Sequence, residues 1–243
     1  MPASDRAYPS VWAKPRRKER STLTREQIVR QALELLDTEG IDALSMRKLA
    51  ARLEAGTTSL YWHVANRDEL IELVVDEIYG ELEAPDEGAF SADWQDDVRR
   101  YAHSVRASVL RHPWVVAVLD HLVAGYPGPN AQALAERMLG VFAGAGFDIP
   151  EAERAFGTLS SFLIGTAMAE AAWTNWLARR GQTVEEWTAE SMRAAADTPE
   201  EHERLHAVLA NYEGKDAQQS VDEDFTYGLD RVLDGLQARL DAR

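Results

Sequence analysis

The 243-residue chain has no cysteine, which excludes disulfide scaffolds, thiolate nucleophiles and cysteine-ligated zinc fingers, and it is long enough for one long or two short domains with a sizeable core. Its formal charge of −15 would oppose nucleic acid if it were spread evenly, but residues 1–67 carry 12 Lys and Arg against 8 Asp and Glu, while residues 68–243 carry 14 against 33. A small basic head therefore sits on a large acidic body, and phosphate should attract the head alone.

Residues 1–22 include Lys14, Arg16, Arg17, Lys18 and Arg20 with little apolar periodicity. They read as a flexible basic arm that either enters a minor groove or only adds nonspecific attraction. Trp12 is the odd residue in it. Thr24, with Gln27 three residues on, forms a capping box that opens a helix through Ile28, Ala32, Leu35 and Leu36 to a stop at Gly40.

Met46, Leu49, Ala50 and Leu53 then recur at helical spacing, leaving Arg47, Lys48 and Arg52 to face outward. Gly56 permits a turn. Thr57 or Thr58 can cap a second short helix, Ser59 to Val64, which buries Leu60 and Val64 and points Thr58, Ser59, Tyr61, Trp62 and His63 outward. Two short helices joined in this way are a helix-turn-helix, whose second helix can present hydroxyl, imidazole and aromatic side chains to a major groove. Tyr61 and Trp62 as plugs of a three-helix core, and His63 as a satisfied surface histidine, are the alternatives for the single residues. This head spans 23–68.

Asn66 caps the next helix, with Asp68 and Glu69 in its first turn. Leu70, Ile71, Leu73, Val74, Val75 and Ile78 continue it toward Pro85 as a connection between head and body. Beyond it the periodicity predicts helices over 94–111, 114–123, 131–143, 151–179, 184–195, 200–212 and 221–239, punctuated by Pro and Gly. With no strand alternation the fold class is all-α, and residues 69–243 form one helical domain.

Gly157, Ser161, Gly165 and Ala169 leave one helix face nearly bare, and Phe225, Leu229, Val232, Leu236 and Leu240 make an apolar seam on the last helix. Either the Glu151–Arg179 and Val221–Arg239 helices build a homodimer interface, or both faces pack within one protomer. The apolar run 155–178 is interrupted by Ser160, Ser161, Glu170 and Asn175, and residues 1–22 do not show the charged-then-apolar pattern of a signal peptide. Cytoplasmic residence without a membrane partner is expected.

Leu44-Ser-Met-Arg-Lys-Leu-Ala and Ser59-Leu-Tyr-Trp-His-Val-Ala-Asn-Arg-Asp-Glu-Leu resemble the DNA-binding domain of the tetracycline repressor family. Trp94-Gln, Leu110-Arg111, Gly146-Phe147 and the stretch from Phe225 to Leu236 resemble its regulatory domain. The resemblance implies a ligand-responsive transcriptional regulator, with an operator in double-stranded DNA, a small-molecule effector and a symmetric dimer as partners. It places Arg47, Thr57, Thr58 and Ser59 among residues that read bases, Tyr61, His63 and Arg67 among those that grip phosphates, and Trp62 at a base or sugar contact. Thr57 and Thr58 depart from the Gln-Pro found in the family's tetracycline-binding member, so that operator does not carry over.

The family's effector cavity maps here onto Tyr101, Val105, Val116, Leu119, Met138, Phe162, Thr166, Glu170 and Trp173. Tyr101, Thr166 and Glu170 stand out, because polar groups in apolar surroundings need a partner or a ligand. Positions that hold a magnesium–tetracycline chelate fall on Glu83, Tyr101 and Leu119, so tetracycline is not the expected effector. One motif points elsewhere: His202-Glu203-Arg-Leu-His206 has the spacing of a zinc hydrolase helix, but no third ligand follows. With no phosphate loop and no Ser/His/Asp constellation, no enzyme activity, catalytic residue, metal or cofactor is expected.

Overall fold

The computed structural model describes residues 23–86, 88–118, 127–196 and 216–242, together with residues 204, 207, 208 and 210. The basic arm, Leu119 and the His202, Glu203 and His206 motif lie outside the described residues. All regular structure within them is helical.

The head consists of α1 (Arg25–Glu39), α2 (Met46–Arg52) and α3 (Thr57–Tyr61). The capping box at Thr24 forms as the spacing predicts: its hydroxyl accepts from Gln27 N at 3.2 Å while Thr24 N donates to Gln27 Oε1 at 3.1 Å. A 3-10 turn, Ile41–Ala43, leads into α2, which Ser45 caps through Lys48 N. Two local expectations fail. Gly56, with φ −76°, is itself the cap residue of α3, so Thr57 and Thr58 lie inside the first turn and cap nothing; the left-handed residue of the turn is Glu54, at φ 50°. The recognition helix ends at Tyr61, and Trp62 and His63 ride on the turn that follows, where His63 N and Val64 N both donate to Leu60 O.

Helix α4 (Arg67–Gly80) starts at Asn66, whose side chain accepts from Glu69 N at 2.8 Å. It stops five residues before Pro85, because the chain turns at Glu81 to feed α5 (Trp94–Arg111). Pro113–Val118 is a 3-10 segment in place of the first part of the expected 114–123 helix. The remaining body helices are α6 (Pro129–Gly144), α7 (Ile149–Arg180), α8 (Val184–Ala196) and α9 (Ala217–Asp241). Among the described residues no helix is long and apolar enough to cross a membrane.

Two hydrophobic cores result. The first gathers Ile28, Leu35, Leu49, Leu60, Leu70 and Val74 of the head and α4, and is closed by Trp114, Val115 and Val118 of the 3-10 segment. The second gathers α5, α6, α7 and α9 around Val98, Met138, Phe142, Leu159, Leu163 and Leu229. Trp94, Phe142 and Phe147 form an aromatic triad in it, with centroids 5.7–6.0 Å apart. Helix α4 touches both cores through Tyr79. It is also fixed to the body at mid-length: Asp76 accepts from Ala131 N at 3.0 Å and Asn130 N at 3.3 Å, capping α6. A Cβ on Gly128 would lie 2.4 Å from the Asp76 carboxyl carbon, so that approach requires glycine.

The α9 seam packs within the protomer. Phe225, Leu229 and Leu233 are buried in the second core and Val232, Leu236 and Leu240 lie against it. Leu233 was not part of the expected seam. The outer side of α9 instead shows Tyr227, 65% exposed, beside Arg231. On α7, Gly157, Ser161, Gly165 and Ala169 are all exposed, and a Cβ on Gly157 or Gly165 would meet nothing within 4 Å.

At Gly228 of α9 a Cβ would stand 2.6 Å from the Phe162 ring of α7. Gly228→Ala should therefore displace Phe162 from Phe225 and destabilise the body by about 1–3 kcal/mol. Urea unfolding compared with the parent protein checks this, and an unchanged midpoint would show that the ring moves aside freely.

Candidate nucleic-acid interface and regulatory site

Packing decides which recognition-helix residues are available. Leu60 and Val64 are sealed in the head core, at 0% and 1% exposure, so the residues between them must face out. Tyr61 is 49% and Trp62 85% exposed. Neither is a core plug, and an exposed indole of this size is an unusual surface feature for a lone protomer. Arg47, Thr58 and Ser59 are exposed as well, while Thr57 and His63 are half-buried.

Ion pairing sorts the cations of the head. Lys48 pairs with Glu39, and Arg52 sits 3.5 Å from Glu39 and 4.0 Å from Glu34, which draws both back onto α1. Arg47 and Arg30 have no carboxylate partner among the described residues. Arg67 is used structurally: Nε donates to Leu44 O at 3.3 Å and Nη2 to Ile41 O at 3.2 Å, tying the start of α4 to the turn before α2. Its Nη1 has no partner among the described residues. Arg25 likewise holds the end of the recognition turn, donating to His63 O at 3.2 Å.

The expected effector residues within the described segments do not share one environment. Tyr101, Val105 and Met138 are buried in the second core, with the Tyr101 ring 6.1 Å from Phe156. Burial pushes that phenol well above its ordinary range. Phe162 stacks toward Phe225, at 5.9 Å between centroids. Val116 is half-buried in the 3-10 segment. Trp173 stands apart, stacked on Trp176 at 5.2 Å and set edge-on to Trp187 at 4.6 Å.

Thr166 and Glu170 both find partners inside the protein. Thr166 Oγ1 donates to Phe162 O at 2.8 Å, one turn back on its own helix. Glu170 receives both arms of a fork from Arg106, Nε to Oε2 at 2.7 Å and Nη2 to Oε1 at 2.8 Å, and Arg106 also reaches Asp222 Oδ1 at 2.7 Å. The guanidinium lies 5.0 Å from the Phe225 centroid. This ion-paired hub binds α5, α7 and α9. Sequence reasoning missed Arg106, because nothing local marks one arginine among the many of α5 as buried.

The head joins the body through a second polar cluster. Asp37 of α1 accepts from Trp114 Nε1 at 2.8 Å and lies 2.7 Å from His112 Nδ1, while His112 Nε2 is 3.1 Å from Glu81. His112 is 2% exposed.

A three-helix head with an exposed aromatic surface on its last helix, locked to an acidic helical body, defines a DNA-binding regulator with a separate sensing domain. Residues 28–74 match the model of bacterial regulatory proteins of the tetR family, and residues 84–240 that of the tetracyclin repressor-like C-terminal domain. The chain belongs to the TetR family of transcriptional regulators. It is 39% identical over 172 residues to an HTH-type transcriptional regulator of Saccharopolyspora erythraea, covering 70% of this chain and 71% of the relative. It is 30% identical over 233 residues to the HTH-type transcriptional repressor DrrR1 of Streptomyces coeruleorubidus, covering 92% and 81%. Among solved structures it is similar to the TetR family protein ActR of Streptomyces coelicolor in complex with actinorhodin, with a TM-score of 0.71 at 30% identity over 90% of this chain and 98% of that one.

The Arg106 hub makes body stability sensitive to acid. The hydrogen bond from Arg106, and a second from Gln218, hold the Asp222 carboxyl below its ordinary value of 3.8. A depressed folded-state value stabilises fully above the unfolded value and is lost as pH falls through the folded one. The denaturation midpoint should thus drop between about pH 5 and about pH 3, and drop less in Asp222→Asn. Arg106→Met should cost about 3 kcal/mol at neutral pH by leaving Glu170 buried without its cation. Denaturant titrations at the two pH values read both effects, and equal pH slopes in the parent and Asp222→Asn would refute the first.

Proposed function

We propose that the protein represses transcription by binding a palindromic operator as a homodimer and is released from it by a small-molecule effector. The observation that carries this reading is the exposure of Tyr61 and Trp62 on a helix whose Leu60 is fully buried. Arg47, Thr57, Thr58, Ser59, Tyr61, Trp62 and His63 then supply base, sugar and phosphate contacts, and Arg67 offers a phosphate its remaining Nη1 donors. The acidic body keeps away from the duplex, so the head alone engages it, in the cytoplasm where the DNA lies.

The dimer in this reading forms through the bare face of α7 and the outer face of α9 around Tyr227. Small residues let the partner's helices approach closely, and two recognition helices about one DNA turn apart match a two-fold operator. The effector enters between α5, α7 and α9, where Tyr101, Phe156, Phe162 and Phe225 suit planar rings. ActR, to which this chain is similar, is solved in complex with actinorhodin, which supports a small-molecule effector for this chain. Effector binding moves the 3-10 segment, and Trp114 and His112 pass that movement to Asp37 of α1.

Binding of the purified protein to pooled genomic fragments at two salt concentrations, followed by sequencing, tests the function. A recovered palindrome is the expected result; salt-sensitive binding with no shared sequence would reduce the head to an electrostatic binder. On the recovered site, Tyr61→Ala and Trp62→Ala should each weaken binding about tenfold or more with the melting temperature unchanged. Leu60→Ala should instead destabilise the head by about 2–5 kcal/mol. If Tyr61→Ala unfolded the head, the side chain would be a core residue after all.

A further inference from the structure

An open groove of about 950 Å³ runs along the head beside the recognition helix. Helix α1 contributes Gln27, Arg30 and Gln31 to it, and α3 with its following turn contributes Ser59, Trp62 and His63. We propose that this groove seats the sugar–phosphate strand flanking the operator half-site, with Arg30 as its phosphate ligand. The proposal rests on the DNA-binding reading and extends it to a helix that neither the motif nor the resemblance assigns to DNA.

Three observations converge on that occupant. The groove is continuous with the recognition surface, because Ser59, Trp62 and His63 belong to both. Its cations differ in availability: Arg52, which also lines the groove, is drawn onto Glu34 and Glu39, whereas Arg30 is exposed and engaged by no carboxylate among the described residues. Gln27 spends its carbonyl on Thr24 N and keeps its amide N–H groups for an acceptor. Unpaired guanidinium, amide donors and an 85% exposed indole at the edge suit a backbone of phosphates and sugars, which offers acceptors and apolar ribose faces. Glu54 also lines the groove and opposes an anion, which favours a strand that touches the Arg30 side only.

The test uses the full-length protein and a labelled duplex that the parent protein recovers from a randomised pool, with anisotropy read over a series of salt concentrations. Arg30→Ala and Arg30→Gln should weaken binding about tenfold at low salt and lower the slope of log affinity against log salt by about one per bound head. Thermal melting should be unchanged, since the side chain is exposed. An unaltered slope overturns the proposal. Loss of affinity with the slope intact also overturns it, being what a groove filled by residues 1–22 of the chain itself would give. Arg47→Ala separates the two levels: if it lowers the slope and Arg30→Ala does not, the groove alone fails, whereas a parent protein that binds no duplex in the pool fails the DNA reading itself.

Discussion

The head cannot close its own core. Trp114, Val115 and Val118, from a 3-10 segment of the body, are 3–5% exposed and belong to the same core as the buried residues of α1 and α4, and Asp37 of α1 takes the indole N–H. Burying an indole without a partner for its N–H is costly, so the aromatic and the carboxylate fix one another's position. A head of three short helices has little apolar area of its own, and sharing a core with the body makes its orientation part of the body's conformation. Everything proposed about regulation follows from that dependence. A second point of attachment, Asp76 at the start of α6, keeps α4 from sliding independently of the sensing helices.

Charge is distributed to the same end. The body's excess of carboxylates repels DNA, and two of the head's carboxylates, Glu34 and Glu39, are spent on Lys48 and Arg52. Arg25 and Arg67 are turned onto backbone carbonyls, while Arg30 and Arg47 are left without a carboxylate partner among the described residues. Arg67 shows how a cation can serve two purposes: two donors brace the carbonyls before α2, and a planar fork leaves others free. Lysine, with one point charge, could not brace in this way.

The sensing region illustrates why polar residues in a core are ambiguous when read singly. Glu170 and Thr166 are polar groups among apolar neighbours, and each is satisfied by the protein itself, one by Arg106 and one by a backbone carbonyl. Their satisfaction removes the reason for assigning them to an effector, and shifts the weight to the rings of Tyr101, Phe156, Phe162 and Phe225. An effector seated there, as proposed, would part helices that the Arg106 hub holds together, so that its affinity and the body's stability would draw on the same contacts.

Local chemistry and periodicity were enough to locate α1 from its capping box, α4 from Asn66, α5 to its terminal residues, and the exposed faces of Tyr61 and Trp62, because each depends on neighbours within a turn or two. The same signals ran out where distance in sequence separates partners. Arg106 meets Glu170 across 64 residues and Asp222 across 116, Trp114 meets Asp37 across 77, and the α9 seam turned inward because α5 and α7 were there to receive it. An apolar stripe says that a face will be buried and is silent on what buries it. The amino-acid order by itself thus determined an all-helical regulator with its recognition surface; only the tertiary structure decided which charges were left free, which polar groups were satisfied and how the head is held, since those outcomes depend on desolvation and pairing between segments that the chain brings together only on folding.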